Sequence, residues 1–381
     1  MKWGITMIRI FMTGDNHIGR RYANHEKSWI LSEKRRVAFE RMVQTANAEN
    51  CSIFVITGDL FDRIDGISEQ EIADVLDRLS EFRGNVVILP GNHDYYDKES
   101  NFWQYFNKVI HDKDNILLLT EYQPYSLRIG NEEVVLYPAH CTSKHSIPGE
   151  NNLGWIKSTR IDKDNAYHIG VAHGAVEGET IDKEGQYFLM SRAELEDIAM
   201  DVWLIGHTHV PFPSNLSVEY TNAGRIYNAG THVQLDVNCN TEGQCFIIEL
   251  ENNKPVRAKK VITGNLRFYR ENIELRAGDM ENILEERLRG IGDDSVVDLI
   301  FSGAVSTEEY NKRHLVFKEV MSRFIEGTYH DMELSELISK EKVEAEFAET
   351  SFSAKLLTSL LDNPKEAQLT YELLNALGGK S

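Results

Sequence analysis

Five short clusters of carboxylate, imidazole and amide side chains occur in this sequence, each directly after an apolar run. They are Asp15 with His17, Asp59, the triplet Asn92, His93 and Asp94, His173, and the pair His207 and His209. Such side chains bind borderline divalent ions such as manganese, iron or zinc. The Asp-x-His and His-x-His spacings place two donors on one turn. A single pair of this kind often arises by chance, but five clusters in succession predict a metal site.

The size of this donor set favours two ions rather than one. The Asp59 carboxylate has two oxygens and can bridge two metals, and ions roughly 3.5–4 Å apart can clamp a phosphoryl oxygen during in-line displacement. Asn92 would then be a neutral ligand. We expect His93 to face the substrate and either to protonate the leaving oxygen or to stabilise the charge of the phosphorane. We expect Asp94 to orient the His93 ring and to fix its tautomer.

Predicted strands precede all five clusters. Six apolar, β-branched runs fit buried strands, at 7–12, 52–57, 85–90, 133–138, 167–172 and 201–206. Amphipathic patterns between several of them predict helices at 32–50, 68–82 and 99–110. This alternation predicts an α/β domain. In such domains, sites assemble at the carboxyl ends of the strands, which is where the clusters lie.

The pattern changes along the second half of the chain. Residues 226–262 contain further strand patterns without long helices, as a second sheet packed on the first would require. Beyond about residue 265 we expect one strand or two short strands at 294–305, a helix at 308–325 and helices at 343–377, interrupted at Asn363-Pro364. We therefore predict three domains, namely 1–268 with the metal site, a small α+β cap at 269–328, and terminal helices at 329–381. A linker to the terminal helices is expected near 327–343.

Composition and charge narrow the class of protein. The net charge of −19 over 381 residues argues against a broadly basic nucleic-acid-binding surface. No apolar run approaches the roughly 20 residues that span a bilayer, and the N-terminal segment lacks the apolar region of a secretory signal. The four cysteines are scattered, without a CxxC pair, which favours reduced thiols. We expect a cytoplasmic protein with no membrane partner.

The clusters also carry a family resemblance. Asp15-x-His17, Gly58-Asp59, Gly91-Asn92-His93-Asp94, His173-Gly174 and Gly206-His207-Thr208-His209 resemble the five motifs of calcineurin-like metallophosphoesterases. Within that superfamily, four longer stretches are similar to the SbcD-type nuclease subunit of the DNA double-strand-break repair complex. These stretches are DNHIGRR, GDLFDR, VAHGAVEG and IYNAGTHVQLD. The resemblance covers residues 1–265 well and the remainder loosely.

This resemblance implies a four-layer α/β/β/α sandwich that cleaves DNA as an exonuclease and endonuclease. It implies His93 as the catalytic histidine and manganese as the supporting metal, with magnesium, iron or zinc as alternatives. The implied ligands of one ion are Asp15, His17, Asp59 and His209. The implied ligands of the second ion are Asp59, Asn92, His173 and His207.

The resemblance also implies protein partners. Helices near 68–82 and 99–110 would form a homodimer, although the dense aromatic residues of 99–110 equally suit a core. C-terminal helices would dock on an SMC-like ATPase of the SbcC type. Two apolar stripes, on 352–361 and 369–377, suit such helix-in-groove recognition, or they pack back on the body of the protein.

Three residues are candidates for contacts with the substrate. Arg20 begins a segment, 20–41, with seven bases and three acids, which a phosphate backbone passing the metals would meet. The alternative is a solvated helix face with ion pairs. Arg63, in GDLFDR, is a second candidate for a phosphate contact. His232, in NAGTHVQLD, is expected on a substrate-facing loop.

Two other functions compete with a nuclease. The first is a calcineurin-like phosphodiesterase or phosphatase that acts on a small molecule, a nucleotide or a phosphoprotein. The cap and the amphipathic tail favour the nuclease, because such an enzyme does not need them. The second is a scaffold subunit without activity, against which the complete ligand set and His93 argue.

Overall fold

The computed structural model describes residues 7–162, 166–178, 186–222, 224–239 and 241–377. The chain divides into two compact units, Met1–Arg267 and Phe268–Ser381. The elements of the first unit are β1 (Ile8–Thr13), α1 (Ser28–Ala48), β2 (Ile53–Ile56), α2 (Glu69–Ser80), β3 (Asn85–Ile88), α3 (Asn101–Ile110), β4 (Ile116–Leu118), β5 (Tyr125–Ile129), β6 (Glu132–Ala139), α4 (Gly154–Ser158), β7 (Ala166–His173), α5 (Arg192–Asp197), β8 (Val202–Gly206), β9 (Thr221–Asn222), β10 (Ile226–Tyr227), β11 (Gln244–Leu250) and β12 (Arg257–Ile262).

The first sheet contains β1, β2 and β3 side by side. Over the described residues its seven strands follow the order β4-β3-β2-β1-β11-β12-β9. The strands β1 to β4 run parallel, with Ile10 opposite Ile53 and Ile53 opposite Asn85. Parallel strands end at the same edge, so the residues after β1, β2 and β3 emerge as neighbours. On its other side β1 pairs antiparallel with β11, Ile8 lying opposite Leu250.

The second sheet has the order β10-β8-β7-β6-β5. Its strands β6, β7 and β8 run parallel, with Leu136 opposite Ile169 and Ile169 opposite Val202. The residues after β7 and β8 therefore also leave from a common edge. An isolated bridge between Gly14 and Thr231 ties the loop after β1 to the chain that follows β10.

Alternation along the strands produces the layers. On β1, Ile10 faces the second sheet and packs in one core with Leu136. Phe11 faces the opposite side, where α1, α2 and α3 cover the first sheet. The outer face of the second sheet is covered by α4 and α5, and Leu195 packs there against Trp203. The order helix, sheet, sheet, helix confirms the predicted four-layer α/β/β/α sandwich.

The start of α2 follows from its sequence. The Ser68 hydroxyl accepts a hydrogen bond from the Glu71 backbone N–H at 3.2 Å, and the Glu71 carboxylate accepts one from the Ser68 N–H at 3.0 Å. This reciprocal capping box satisfies two N–H groups that a helix start leaves open. Ile72 and Leu76 are buried on the face that meets the sheet.

The second unit is a small α+β fold followed by helices. Its elements are β13 (Arg267–Arg276), α6 (Met280–Leu288), β14 (Ser295–Val305), α7 (Thr307–Met321), β15 (Glu326–Glu336), α8 (Lys340–Glu346), α9 (Phe352–Leu360) and α10 (Pro364–Ala376). The sheet order is β13-β14-β15, and β14 runs parallel to β15. The core of this unit includes Phe301 stacked on Phe317, with ring centroids 4.1 Å apart.

The strand β15 corrects one prediction. The linker expected near 327–343 is wrong over most of its length, because Glu326–Glu336 is a strand. The boundary predicted between residues 328 and 329 falls inside this strand, so the sheet extends to Glu336. The sequence does not show an apolar strand pattern for β15, because this edge strand has few large apolar residues. One of them, Met332, is 92% exposed.

The last three helices enclose a small core of their own. Val343 of α8, Leu357 of α9 and Ala367 of α10 are buried together. The apolar stripes of the tail therefore pack partly on each other. Four large apolar side chains remain exposed, namely Phe352, Leu369, Leu373 and Leu377.

Two properties of the chain bear on its surroundings. None of the helices over the described residues has the length and apolar character needed to cross a membrane. All four cysteines are free thiols, and Cys51, Cys141 and Cys245 are buried.

Candidate metal centre

The five polar clusters meet at the strand ends. Asp15 and His17 follow β1, Asp59 follows β2, Asn92 follows β3, His173 ends β7, and His207 and His209 follow β8. Five of these residues, Asp15, His17, Asp59, His207 and His209, have φ angles between 45° and 112°. This left-handed backbone is unfavourable for residues with a side chain and collects at functional sites, where the surrounding structure enforces it. The loops are therefore held in a geometry that their local sequence does not favour.

Glycines bring the backbone close to the donors. A Cβ atom on Gly91 would lie 2.2 Å from Oδ1 of Asp59, and one on Gly58 would lie 2.1 Å from Nδ1 of His173. Neither position has room for any side chain. The Gly-Asp and Gly-Asn-His patterns thus reflect a close approach of backbone to ligand atoms.

The first group of donors joins the two sheets. Single ligand atoms of Asp15, His17 and His209 lie within 4.8 Å of one another. Nε2 of His17 is 3.0 Å from Nε2 of His209, which is 3.7 Å from Oδ1 of Asp15. Oδ2 of Asp59 lies 3.8 Å from Nε2 of His17. The structure thus brings together the four residues predicted for one ion.

The second group lies on the other side of Asp59. Ligand atoms of Asp59, His173 and His207 lie within 4.8 Å of one another. Oδ1 of Asn92 is 2.9 Å from Nε2 of His173 and 3.0 Å from Nδ1 of His207. Oδ2 of Asp59 is 3.4 Å from Nε2 of His173. Asp59 therefore borders both groups, as a bridging carboxylate would.

The chemistry of the donor set fits cations. Nδ1 of His173 lies 2.8 Å from the Thr57 carbonyl oxygen. A carbonyl only accepts, so Nδ1 carries a proton, and Nε2 is the nitrogen that faces Asn92 and Asp59. Oδ2 of Asp59 is buried and has no hydrogen-bond partner among the described residues. An imidazole nitrogen, an amide oxygen and an open carboxylate oxygen that face one another suit a metal ion.

The electrostatics of the site point the same way. Asp15, Asp59 and Asp94 are each at most 1% exposed. Burial raises the pKa of Asp15 to about 7, and burial together with the Asp59 charge raises the pKa of Asp94 to about 6. Burial would lower the pKa of His173, but the Asp59 carboxylate raises it to about 9. The buried carboxylates thus favour positive charge at this site, and divalent ions would supply that charge.

Two imidazoles of the first group favour the neutral form that binds metals. Burial lowers the pKa of His17 and lowers the pKa of His209 well below its usual value. Burial alone would raise the pKa of Asp59, but the positive charge of His173 outweighs it and holds that pKa below its usual value. His17 and His209 thus offer neutral nitrogens, and Asp59 offers an ionised carboxylate between the two groups, which suits two divalent ions.

His93 lies beside these ligands and is partly exposed. Its backbone N–H donates to Oδ1 of Asp59 at 2.8 Å, and its ring meets that of His17 edge to face at 4.7 Å. Its Nδ1 lies 2.8 Å from the carbonyl oxygen of Asp62. Because that carbonyl can only accept, Nδ1 carries a proton and Nε2 is the atom that can exchange one.

The role predicted for Asp94 is corrected by its contacts. Over the described residues, its carboxylate accepts hydrogen bonds from the N–H groups of Asp59, Phe61 and Gly91, at 3.2, 3.1 and 2.7 Å. It thus joins the loops after β2 and β3 instead of orienting the His93 ring. The carbonyl of Asp62 takes that orienting role, because Asp94 turns inward while its neighbour turns outward.

The prediction that His232 faces the substrate is wrong. His232 is 0% exposed. Its Nδ1 lies 3.2 Å from the Asn16 side-chain nitrogen, and its Nε2 lies 3.2 Å from the Arg35 carbonyl oxygen. Both ring nitrogens are therefore engaged, one with the loop after β1 and the other with α1.

Arg35 has a role that sequence reasoning missed. It is 2% exposed, and its guanidinium donates to the carbonyl oxygens of Asn16 at 2.6 Å and Asp15 at 3.3 Å, and to the Thr231 hydroxyl at 3.2 Å. Arg35 therefore fixes the backbone of the first ligand loop. In the sequence it cannot be told from the exposed Arg36 beside it.

Asp62 is the second residue that was missed. Its Oδ1 lies 3.4 Å from Nδ1 of His17, on the side of the ring away from the other donors, and 3.6 Å from Nη1 of Arg20. Its Oδ2 lies 3.9 Å from Nε of Arg63. A carboxylate behind a ligating histidine fixes the tautomer and strengthens the ligand. The signal in the sequence that could have identified Asp62 is its position as the second acidic residue of GDLFDR, close to Asp59.

Arg20 and Arg63, the two predicted phosphate contacts, both lie beside the centre through Asp62. Their side chains are 31% and 55% exposed. Arg36, in the same basic segment, does not lie beside the centre in this way. It forms ion pairs with Glu33 at 2.6 Å and with Glu40 on one face of the helix.

One family model and several solved structures are similar to this chain. A family model described as calcineurin-like phosphoesterase matches residues 8–211. Similar solved structures include a protein of Thermus thermophilus, with 11% identity over 68% of this chain and 100% of that chain and a TM-score of 0.41. A purple acid phosphatase from yellow lupin seeds has 12% identity over 68% of this chain and 54% of that chain, with a TM-score of 0.39. A dimetal phosphatase from Danio rerio has 11% identity over 67% of this chain and 98% of that chain, with a TM-score of 0.37.

The match to the family model spans more than half of the chain, and it begins at β1 and ends after His209. It therefore contains every strand end that carries a polar cluster. The chain belongs to the calcineurin-like phosphoesterase family.

Proposed function

We propose that this chain is a two-metal-dependent DNA phosphodiesterase, the nuclease subunit of an SbcD-type complex that processes double-strand breaks. Membership of the family makes the chain a phosphoester hydrolase, and the proposal concerns its substrate. The observation that carries it is the position of Arg20 and Arg63 beside the metal centre, in a chain of net charge −19. Such local positive charge positions a phosphate backbone without reading its sequence.

The second unit supports the same substrate class. A phosphodiesterase for small molecules needs the sandwich alone, whereas this chain adds a three-stranded sheet and five helices between residues 267 and 376. We propose that this unit provides the DNA-facing cap and the attachment of a partner.

In the proposed mechanism, the metal ions and the side chains of the protein have different roles. Two divalent ions, which we propose to be manganese, polarise a phosphoryl oxygen and lower the pKa of water when they are bound. Asp15, His17, Asp59 and His209 would hold one ion. Asp59, Asn92, His173 and His207 would hold the other.

His93 is the proposed proton donor to the leaving oxygen. Its Nδ1–H is fixed by the Asp62 carbonyl, which leaves Nε2 to carry and release the transferred proton. The N–H of His93 on Oδ1 of Asp59 keeps the ring at a constant position relative to the ligands. Arg20 and Arg63 would hold the phosphates next to the scissile one.

We propose an SMC-like ATPase of the SbcC type as the partner of the tail. Leu369, Leu373 and Leu377 repeat every fourth residue along the last helix and are 59%, 54% and 82% exposed. A stripe of this spacing is one apolar face of a helix, the form that fits a coiled-coil groove.

We also propose a homodimer through α2 and α3. Phe102, Trp103 and Phe106 of α3 are buried in the core of the first unit, so these aromatic residues do not supply the interface. The outer faces of α2 and α3, which include the half-buried Tyr105 and Val109, are the proposed contact.

The test is release of nucleotides from linear duplex DNA by the purified chain with manganese. Asp59→Ala and His93→Ala are assayed alongside, with His111→Ala and Asp114→Ala as matched changes at exposed positions away from the site. A small aryl phosphodiester serves as a parallel substrate. We expect the wild type and the two matched variants to cleave both substrates, and the two site variants to cleave neither.

Cleavage of the aryl ester without cleavage of DNA, even after addition of the ATPase partner, would assign the enzyme to small substrates. Cleavage of DNA by Asp59→Ala would show that the activity arises from a contaminating nuclease.

A further inference from the structure

A groove between α1 and α2 begins next to the metal centre. This α1–α2 groove has a volume of about 650 Å³, and its lining includes Trp29, the arginines Arg20, Arg21, Arg36, Arg63 and Arg78, and the carboxylates of Glu33, Glu40, Glu71 and Asp74. The side chains of Phe39 and Val75 contribute apolar surface to it. Cavities of this size accept a small molecule or a short segment of polymer.

The two ends of the groove differ in charge. At the end away from the metal centre, Arg36 forms ion pairs with Glu33 and Glu40, and Arg78 lies 3.7 Å from Glu40, so carboxylates neutralise the two arginines there. At the end near the centre, Arg20 and Arg63 share the single carboxylate of Asp62, at 3.6 and 3.9 Å. Two guanidinium groups against one carboxylate leave an excess of positive charge at the near end.

The near end is continuous with the metal centre. The same Asp62 carboxylate that meets Arg20 lies 3.4 Å from Nδ1 of His17, a proposed ligand. A polymer with one phosphate at the metals would therefore meet Arg20 and Arg63 with its next phosphates. This continuity argues for the substrate itself as the occupant of the groove.

Trp29 provides an aromatic platform on the groove. It lies in the first turn of α1 and is 71% exposed, whereas Trp103 and Trp203 are 1% and 2% exposed. Exposed aromatic rings beside a basic groove stack the bases of single-stranded nucleic acid, whatever their sequence. A duplex would not enter a groove of this volume, and its bases would not be free to stack.

We propose that the α1–α2 groove binds a short single-stranded stretch of the DNA that is being cleaved, with phosphates at Arg20 and Arg63 and a base stacked on Trp29. This inference rests on the proposed nuclease function. It adds that the duplex must open beside the metal centre, so that one strand leaves along the groove.

The test measures binding of fluorescein-labelled oligothymidylates of increasing length by fluorescence anisotropy. His93→Ala serves as the background, so that the probe stays intact while the metals remain bound. Trp29→Ala, Trp29→Phe and Leu315→Ala are added to it. Leu315 is a matched control because it is 72% exposed and lies in the second unit.

Trp29→Ala is expected to weaken binding of the longer oligothymidylates by on the order of tenfold or more. Trp29→Phe keeps an aromatic face and is expected to restore most of this affinity. Leu315→Ala is expected to bind like the background. Trp29 is exposed, so none of these changes disturbs the core.

The arginine contacts are tested by the salt dependence of the same binding. Loss of one phosphate contact on a single strand lowers the slope of log affinity against log salt by about 0.7. Arg63→Ala is expected to show this change. Arg160→Ala is expected to keep the original slope, because Arg160 pairs with Asp162 at 2.8 Å and is 88% exposed.

Three results would overturn the inference. They are affinity of Trp29→Ala equal to that of Leu315→Ala, equally weak binding of Trp29→Ala and Trp29→Phe, and lack of measurable oligothymidylate binding by the background. If the wild type nevertheless degrades DNA, only the proposed role of the α1–α2 groove is wrong, and the proposed function stands. If the wild type cleaves the aryl ester and not DNA, even after addition of the ATPase partner, the proposed function itself is wrong.

Discussion

Two buried carboxylates, one in each unit, have opposite environments. Glu309, at the start of α7, is 8% exposed and accepts hydrogen bonds from the N–H groups of Gly278, Met280 and Ser306, at 2.9, 3.1 and 2.9 Å. Asp59 is 1% exposed, and its Oδ2 has no hydrogen-bond partner among the described residues.

This difference separates structure from function. A buried carboxylate surrounded by donors stabilises the fold, because its lost hydration is replaced. A buried carboxylate with an open oxygen costs stability unless another group completes it. Burial alone does not distinguish Glu309 from Asp59, whereas the donors around each oxygen do.

The largest expected effect is that of Asp59→Asn. Activity on the aryl ester should fall below detection and bound manganese should be lost on dialysis, because both proposed ions share this carboxylate. Asn tolerates the left-handed backbone at this position, where φ is 52°. The melting temperature of the metal-free chain should change little, because loss of the attraction between Asp59 and His173 is offset by removal of a buried charge whose Oδ2 has no hydrogen-bond donor among the described residues. Metal analysis and calorimetry check this, and a clear drop in the metal-free melting temperature would make Asp59 a structural residue like Glu309.

The next effect is that of His93→Gln. The value of kcat should fall by on the order of 10²–10⁴-fold, the usual contribution of a general acid. Bound manganese should stay at the wild-type level. The measurement matters because donor atoms of His93, His17 and Asp59 lie within 4.8 Å of one another. Loss of manganese in His93→Gln would assign His93 to the ligands and not to proton transfer.

Asp62→Asn should have a smaller effect, on metal affinity. A partner behind a ligating histidine is typically worth about 10–100-fold in affinity. The contact of Asp62 with His93 uses the backbone carbonyl, so it survives the substitution. Activity at saturating manganese should therefore stay much closer to wild type than the affinity does. An equal loss at saturating manganese would mean that the carboxylate acts on the reaction directly.

The smallest effect on catalysis is that of Glu309→Gln. The free energy of unfolding should fall by about 1–2 kcal/mol, because charge-assisted hydrogen bonds become neutral ones. Activity on the aryl ester should be unchanged. Denaturant unfolding and the ester assay check this, and reduced activity with unchanged stability would reverse the comparison with Asp59.

The same variant has a predicted pH dependence. Burial opposes it, but the N–H groups of Gly278, Ser306 and Met280 lower the pKa of Glu309 below its usual 4.5. The stability from this carboxylate is therefore present above pH 4.5 and is lost as the pH falls through the folded pKa. The difference in unfolding free energy between wild type and Glu309→Gln should shrink below pH 4.5.

The sequence predicted the strands and the donors that follow them well. Each donor cluster follows a short apolar run, and parallel strands bring such ends together, so pattern alone predicted that Asp15, Asp59 and His173 would be neighbours. The sequence pattern failed to predict contacts that depend on the direction in which a side chain points. Asp94 follows His93 directly but turns inward to backbone N–H groups.

The sequence also failed to predict which polar residues are buried. Arg35 and Arg36 look alike in the sequence, yet one fixes a ligand loop and the other forms surface ion pairs. His232 looked accessible because its loop is polar. Its burial comes from α1, about 200 positions earlier in the chain, and periodicity does not report contacts of that range.

The position of β1 in its sheet has a consequence for synthesis of the chain. This strand is made long before β11, with which it pairs on one side, where Ile8 meets Leu250. Until residue 250 leaves the ribosome, one edge of an apolar central strand stays open, and such edges recruit other strands. Contacts of this sequence separation also slow folding. Chains released before β11 would thus combine an open edge with an unfinished sandwich, which makes them the aggregation-prone products of incomplete translation.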